Sequence, residues 1–122
     1  MDRILIIEDD YQLRKLLTIV LEKEGYEIIG ASNGKIGLKL SLEEPFDLIL
    51  TDLVMPDKEG LETIIEIRKK SVVKIIAMSG GGSFEPEVYL AMAKKLGANK
   101  TIEKPFDMSA LISMVKELLS ER

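Results

Sequence analysis

A chain of 122 residues, nearly half apolar and about a third charged, is long enough for one hydrophobic core and too short for two of ordinary size. It has no cysteine and no histidine. That excludes disulfide frameworks, thiolate and imidazole metal sites, cysteine nucleophiles and Ser-His-Asp chemistry, and the chain cannot itself carry phosphohistidine. A formal net charge of −4 without a Lys/Arg block argues against direct nucleic-acid binding.

The apolar runs fall far short of the roughly 20 residues that span a bilayer, so no membrane contact is expected. The N-terminus, Met1-Asp2-Arg3, leads straight into a strand-like run without the basic segment, apolar core and cleavage site of a signal peptide. The sequence reading is a cytoplasmic chain, organised as one domain over residues 1–122 with no output domain.

Ile4 to Ile7 is a continuous branched run, the pattern of a strand buried on both faces, and Glu8-Asp9-Asp10 follows it. Leu13, Leu16, Leu17 and Val20 then recur at helical spacing as far as Gly25, a helix stop. The alternation returns four times. Tyr26 to Gly30 precedes a helix from Asn33, and Asp47 to Thr51 precedes one from Glu59 to Lys70. Val72 to Met78 precedes a helix that starts near Pro86 and ends at Gly97, and Asn99 to Ile102 precedes one from Asp107 to Ser120. Asn33 and Asp107 suit N-caps and Pro86 a first helical turn. In the last helix Leu111, Ile112, Val115, Leu118 and Leu119 form an apolar stripe that reads as core. Five strand-helix units predict an α/β fold, a five-stranded parallel sheet with helices on both faces, because parallel strands need right-handed crossovers.

In such a sheet ligands bind at the carboxyl ends of the strands. The first strand ends in Glu8 and Asp9, the third in Asp52, the fourth in Ser79 and the fifth in Lys104. Carboxylates so crowded repel unless a proton or cation relieves them. Oxygen ligands alone suit magnesium, and nothing soft favours zinc or copper. Lys104 can pair with Asp52 at rest and with a phosphoryl oxygen later, while Ser79 and the backbone of the glycine loop Gly80-Gly81-Gly82 can bind others. Taken singly, each piece has a bland reading: a helix N-terminal acidic turn, turn chemistry before Pro56, a flexible loop, a strand end. Together at one sheet edge they point to phosphoryl transfer with a carboxylate nucleophile.

Glu8-Asp9, Asp52 with Met55-Pro56 and Gly60, Ser79-Gly80, and Lys104-Pro105-Phe106 resemble the signature of the receiver domain of bacterial two-component response regulators, over essentially the whole chain. The resemblance implies the flavodoxin-like strand order 2-1-3-4-5, for which a chemotaxis receiver is itself a standard example. It implies that Glu8, Asp9 and the Val54 backbone carbonyl hold magnesium, with manganese as a substitute. Asp52 then also touches the metal and accepts the phosphoryl group, Ser79 and Lys104 contact its oxygens, and the Lys104-Pro105 bond is cis. The implied donor is a sensor histidine kinase or a histidine phosphotransfer protein. The implied output is a downstream protein docked on the face of the fourth helix, fifth strand and fifth helix.

Three positions depart from the family pattern. Thr101 stands where receivers usually carry a switching Tyr or Phe, so the change of state is left to the backbone around Ser79 and Gly80 or to Phe84 or Tyr89. Val54 and Gly81 hold the places whose side chains tune hydrolysis, and neither can hydrogen-bond a water. Three rival functions are less well matched. An aspartate-nucleophile phosphatase wants an aspartate where Val54 stands. A flavin protein of the same architecture wants a hydroxyl-rich loop in place of Glu8-Asp9-Asp10. A docking-only receiver has no use for the complete acidic set.

Overall fold

The computed structural model describes residues 1–53, 59–80 and 86–121, without the side chains of 59, 86 and 89. Five strands alternate with five helices: β1 (Arg3–Ile7), α1 (Tyr11–Lys23), β2 (Glu27–Ala31), α2 (Gly34–Glu43), β3 (Leu48–Asp52), α3 (Glu59–Arg68), β4 (Lys74–Ser79), α4 (Pro86–Leu96), β5 (Lys100–Glu103) and α5 (Met108–Ser120). All pairings are parallel and the order is β2-β1-β3-β4-β5, the order that the resemblance implied.

The branched runs occupy the middle of the sheet because only there are both faces covered. Ile4 to Ile7, Leu48 to Leu50 and Ile75 to Met78 are fully buried. Edge strands β2 and β5 carry Glu27, Lys100 and Glu103 instead. Side chains alternate across the sheet. Ile4, Ile6, Leu48 and Leu50 meet Leu17 and Leu21 of α1 and Leu111, Val115, Leu118 and Leu119 of α5. Leu5, Ile7 and Ile49 meet Ile64 and Ile67 of α3 and Ala93 of α4 on the other face. Each such side chain contributes about 2 kcal/mol relative to exposure, which makes the central strands the rigid part of the fold.

The strand boundaries differ from the sequence reading in informative ways. β4 begins at Lys74, not Val72, because its partner β3 begins at Leu48 and Leu48 stands opposite Lys74. No ladder remains for Val72, which is 94% exposed. β3 ends at Asp52, which is paired with Met78. Among the caps, Asn33 accepts a hydrogen bond from Ile36 N at 2.8 Å as expected. Asp107 occupies the N-cap of α5, but its side chain makes no capping bond. Asp10 caps α1, accepting from Gln12 N at 2.9 Å and Leu13 N at 3.2 Å. Ile112 is only half-buried beside the otherwise buried stripe of α5.

The strand order reverses at β1, which pairs with β2 on one side and β3 on the other. The carboxyl ends of β1 and β3 therefore flank the crevice where an open parallel sheet binds ligands.

Candidate functional site

Asp52 is the last residue of β3 and is 2% exposed. Glu8, one residue past β1, is 1% exposed. Asp9 beside it is exposed. Carboxylate oxygens of Glu8, Asp9 and Asp52 all lie within 4.8 Å of one another. Lys104, just past β5, reaches across the sheet edge, and its Nζ lies 2.8 Å from Glu8 Oε1 and 3.2 Å from Asp52 Oδ1. The resting pair expected between Lys104 and Asp52 is thus shared with Glu8, which holds the shorter bond. Glu8 Oε2 also accepts from Asp10 N at 3.1 Å.

Charge in this corner is unbalanced. Burial and the neighbouring Asp52 charge raise the Glu8 carboxyl to about 7, against the opposing pull of the Lys104 hydrogen bond. Burial draws the Lys104 ammonium down, but the Glu8 hydrogen bond and the Asp52 and Glu8 charges outweigh it and leave its pKa raised. One lysine does not neutralise three clustered carboxylates. The donors are all hard oxygens, two of the three groups are buried, and their spacing suits a shared ion. Glu8, Asp9 and Asp52 therefore form a cluster that fits a divalent cation such as magnesium.

Ser79 ends β4 and is 1% exposed, and its Oγ has no hydrogen-bond partner among the described residues. Such a buried hydroxyl costs stability unless something binds it. Gly80 has φ +155°, and a Cβ there would lie 2.7 Å from Lys104 O. That close approach, with the Lys104 N–H donating to Ser79 O at 2.8 Å, stitches the ends of β4 and β5 together. The Lys104-Pro105 peptide is cis. Gly60 serves the same end, since a side chain at the start of α3 would run into the Leu53 backbone immediately after Asp52.

Thr101 is half-buried in β5, opposite Ala77 of β4. The Val54 carbonyl, Met55, Pro56, Gly81, Phe84 and the Tyr89 side chain lie outside the described residues. Two contacts of the β1–α1 corner were not foreseen. Arg14 Nη1 donates to Glu8 O at 2.6 Å, and Asp10, grouped with the acidic triplet, serves α1 as its cap. A signal for the cap was present in Asp10 standing just ahead of the apolar period. Nothing in the sequence marked Arg14. Beside Lys104, a cleft of about 390 Å³ is lined by Leu13, Gly80, Pro105, Phe106 and Met108.

A family model for the response regulator receiver domain matches residues 4–116. The chain is 35% identical over 119 residues to a transcriptional regulatory protein CpxR homolog of Haemophilus influenzae, covering 98% of this chain and 51% of the relative. It is 36% identical over 117 residues to the transcriptional regulatory protein ResD of Bacillus subtilis, covering 96% and 48%. It thus spans about half the length of these curated relatives. Among solved structures, a CheY-like receiver domain protein from Methanospirillum hungatei JF-1 superposes with a TM-score of 0.89 at 34% identity, covering 99% of this chain and 95% of that one. The response regulator TrrA of Thermotoga maritima, solved in complex with Mg(2+)-BeF, gives 0.82 at 35% identity, covering 97% and 99%.

Proposed function

The chain belongs to the response regulator receiver domain family, and on that premise we propose that it is a phosphoacceptor signalling domain in which Asp52 takes a phosphoryl group from a partner histidine kinase or histidine phosphotransfer protein. The observation that carries this is the convergence of buried Glu8 and Asp52, exposed Asp9 and Lys104 on one switch-point crevice. Receiver domains are signalling domains, and turnover of a small substrate is not part of this reading.

An Asp52 carboxylate oxygen attacks phosphorus as the P–N bond of the donor phosphohistidine breaks, and the electron pair returns to the imidazole nitrogen. Glu8, Asp9 and Asp52, with the Val54 backbone carbonyl, are the groups that would hold magnesium. When bound, the metal supplies neutralisation of the clustered carboxylates and the phosphoryl oxygens. Lys104 exchanges its contact with Asp52 for one with a phosphoryl oxygen, and Ser79 Oγ donates to another. Lys104 already touches Asp52, and donors held ready in this way are how such catalysis gains its rate.

Output passes by protein contact on the face of α4, β5 and α5 rather than by DNA contact of this domain, consistent with the net charge of −4. Phosphorylation biases a pre-existing equilibrium of that face. With Thr101 in place of an aromatic switch, the Ser79–Gly80 backbone, packed on Lys104, is the element that reports the change.

The test is incubation with acetyl phosphate and magnesium followed by intact mass measurement. Wild type gains one phosphoryl group and Asp52→Asn gains none. A wild type that stays unmodified with metal present, or an Asp52→Asn variant that is modified equally, overturns the assignment.

A further inference from the structure

We propose that Arg14 is a positioning residue for the metal cluster, holding the Glu8 carbonyl so that the Glu8–Asp9 peptide presents the exposed Asp9 carboxylate to those of Glu8 and Asp52. The inference rests on reading the acidic cluster as a divalent-cation site.

The three carboxylates are not held equally. Asp52 is carried by a central strand. Glu8 is buried and bonded to Lys104 and to Asp10 N. Asp9 is exposed, and its carboxylate makes no hydrogen bond or ion pair among the described residues. Its position is therefore set by the backbone alone. The carbonyl oxygen of Glu8 belongs to the planar peptide unit that also contains the nitrogen and Cα of Asp9. Fixing that oxygen fixes the starting point of the Asp9 side chain.

Arg14 is built for this. Its Nη1 lies 2.6 Å from Glu8 O, a short charge-assisted bond. Its stem crosses β2 at Gly30, where an added Cβ would meet Arg14 Cδ at 3.2 Å and Cγ at 3.5 Å. Its guanidinium sits over the Tyr11 ring, with Cζ 5.5 Å from the centroid. The Arg14 backbone N–H donates to Asp10 O at 2.9 Å, and Glu8 N–H donates to Ala31 O at 3.0 Å. The corner from Glu8 to Asp10 is thus closed by the first turn of α1 on one side and by β2 on the other, with the Arg14 side chain joining the two. Partners of this kind, which orient ligands without touching the ion, commonly change metal affinity by about 10–100-fold.

The experiment is calorimetric titration of the 122-residue chain with magnesium and separately with calcium, alongside metal-free thermal unfolding. Arg14→Met keeps the stem over Gly30 and removes the donor. It is expected to lower magnesium affinity about tenfold and calcium affinity less, because magnesium demands near-octahedral placement that calcium does not. Arg14→Lys restores part of the magnesium affinity, since an ammonium reaches a carbonyl without the stacked planar fork. An Arg14→Met variant whose magnesium affinity stays within about twofold of wild type, or that loses both metals in equal proportion, overturns the proposal. If Arg14→Met fails to fold, Arg14→Gln supplies the test: its shorter side chain stops short of the Glu8 carbonyl, so magnesium affinity falls, and an unchanged affinity overturns the proposal. Wild type that binds no magnesium overturns both this inference and the metal reading of the cluster, whereas wild-type binding that Asp9→Asn weakens and Arg14→Met leaves alone overturns this inference only.

Discussion

The two ends of the sheet handle charge in opposite ways. At the amino end, Arg3 meets Glu27 at 2.7 Å, Glu44 at 2.7 Å and Pro45 O at 2.7 Å, with its guanidinium 4.8 Å from the Phe46 ring, while its backbone N–H donates to Asp47 at 2.8 Å. The donors of that arginine are met and its anions stand near the surface. At the carboxyl end, buried Glu8 and Asp52 share Lys104, exposed Asp9 lies beside them, and the Ser79 hydroxyl has no partner among the described residues. A satisfied network ties elements together, and an unsatisfied one is arranged for something that arrives later. The difference teaches that the imbalance, and not the mere presence of charge, marks the functional end.

The largest effect expected at either end is that of Lys104→Met. Removing the cation that, among the described residues, pairs with the two buried carboxylates costs about 3 kcal/mol of metal-free stability at pH 8, toward the lower bound for a broken buried pair because the ammonium is one-fifth exposed. Saturating magnesium should return part of the loss. Denaturant unfolding with and without the metal measures both quantities. A variant as stable as wild type without metal would mean that the carboxyl end is as well balanced as the amino end.

The pH dependence is the next effect in size and carries a definite sign. The Glu8 carboxyl is raised to about 7 by burial and by the Asp52 charge, so the folded state holds its proton more tightly than the unfolded chain does. Its contribution to stability is present at low pH and lost as pH rises from its unfolded value of 4.5 through about 7. Metal-free wild type should therefore lose stability across that window, and Glu8→Gln should flatten the curve and exceed wild type at pH 8. Thermal unfolding against pH reads this directly. A wild-type curve that rises through the same window would contradict the unbalanced site.

How much of this was legible in the sequence follows from the range of the forces involved. The central strands declared themselves because burial on both faces demands unbroken Ile and Leu runs, as in Ile4 to Ile7. The sheet-edge rule then placed Glu8, Asp9, Asp52, Ser79 and Lys104 together. What could not be read was pairing at a distance. Glu8 and Lys104 are 96 residues apart, and which carboxylate takes the shorter bond depends on a reach that only coordinates supply. Val72 looked like strand by composition, yet a strand needs a partner ladder, and β3 begins only opposite Lys74. Arg14 was invisible for the same reason, since its bond to Glu8 O and its packing over Gly30 of β2 are contacts between separate elements.

A smaller effect concerns the site after loading. Val54 and Gly81 offer no side chain that can orient an attacking water, so loss of the phosphoryl group from Asp52 should be slow. Val54→Asn should speed it by roughly tenfold, below the ~10²–10⁴ of full general-base catalysis because an amide positions water without taking its proton. Phosphate release from the purified phosphoprotein gives the rate. An unchanged or slower rate in the variant would show that something other than a water-orienting side chain limits hydrolysis.

The smallest effect belongs to the amino end. Arg3→Met removes two ion pairs, to Glu27 and Glu44, but both acids are well exposed and return to solvent without being stranded. The loss should be less than that of Lys104→Met and should shrink further as salt is added, since exposed pairs are screened and buried ones much less so. Part of it will resist salt, because the contact of the guanidinium with Phe46 is packing as well as charge. Unfolding of both variants at low and high salt separates the two ends on one axis. A salt-insensitive Arg3 loss as large as that of Lys104 would mean that the amino-end network is also a buried one, and the contrast between the two ends would no longer distinguish scaffold from site.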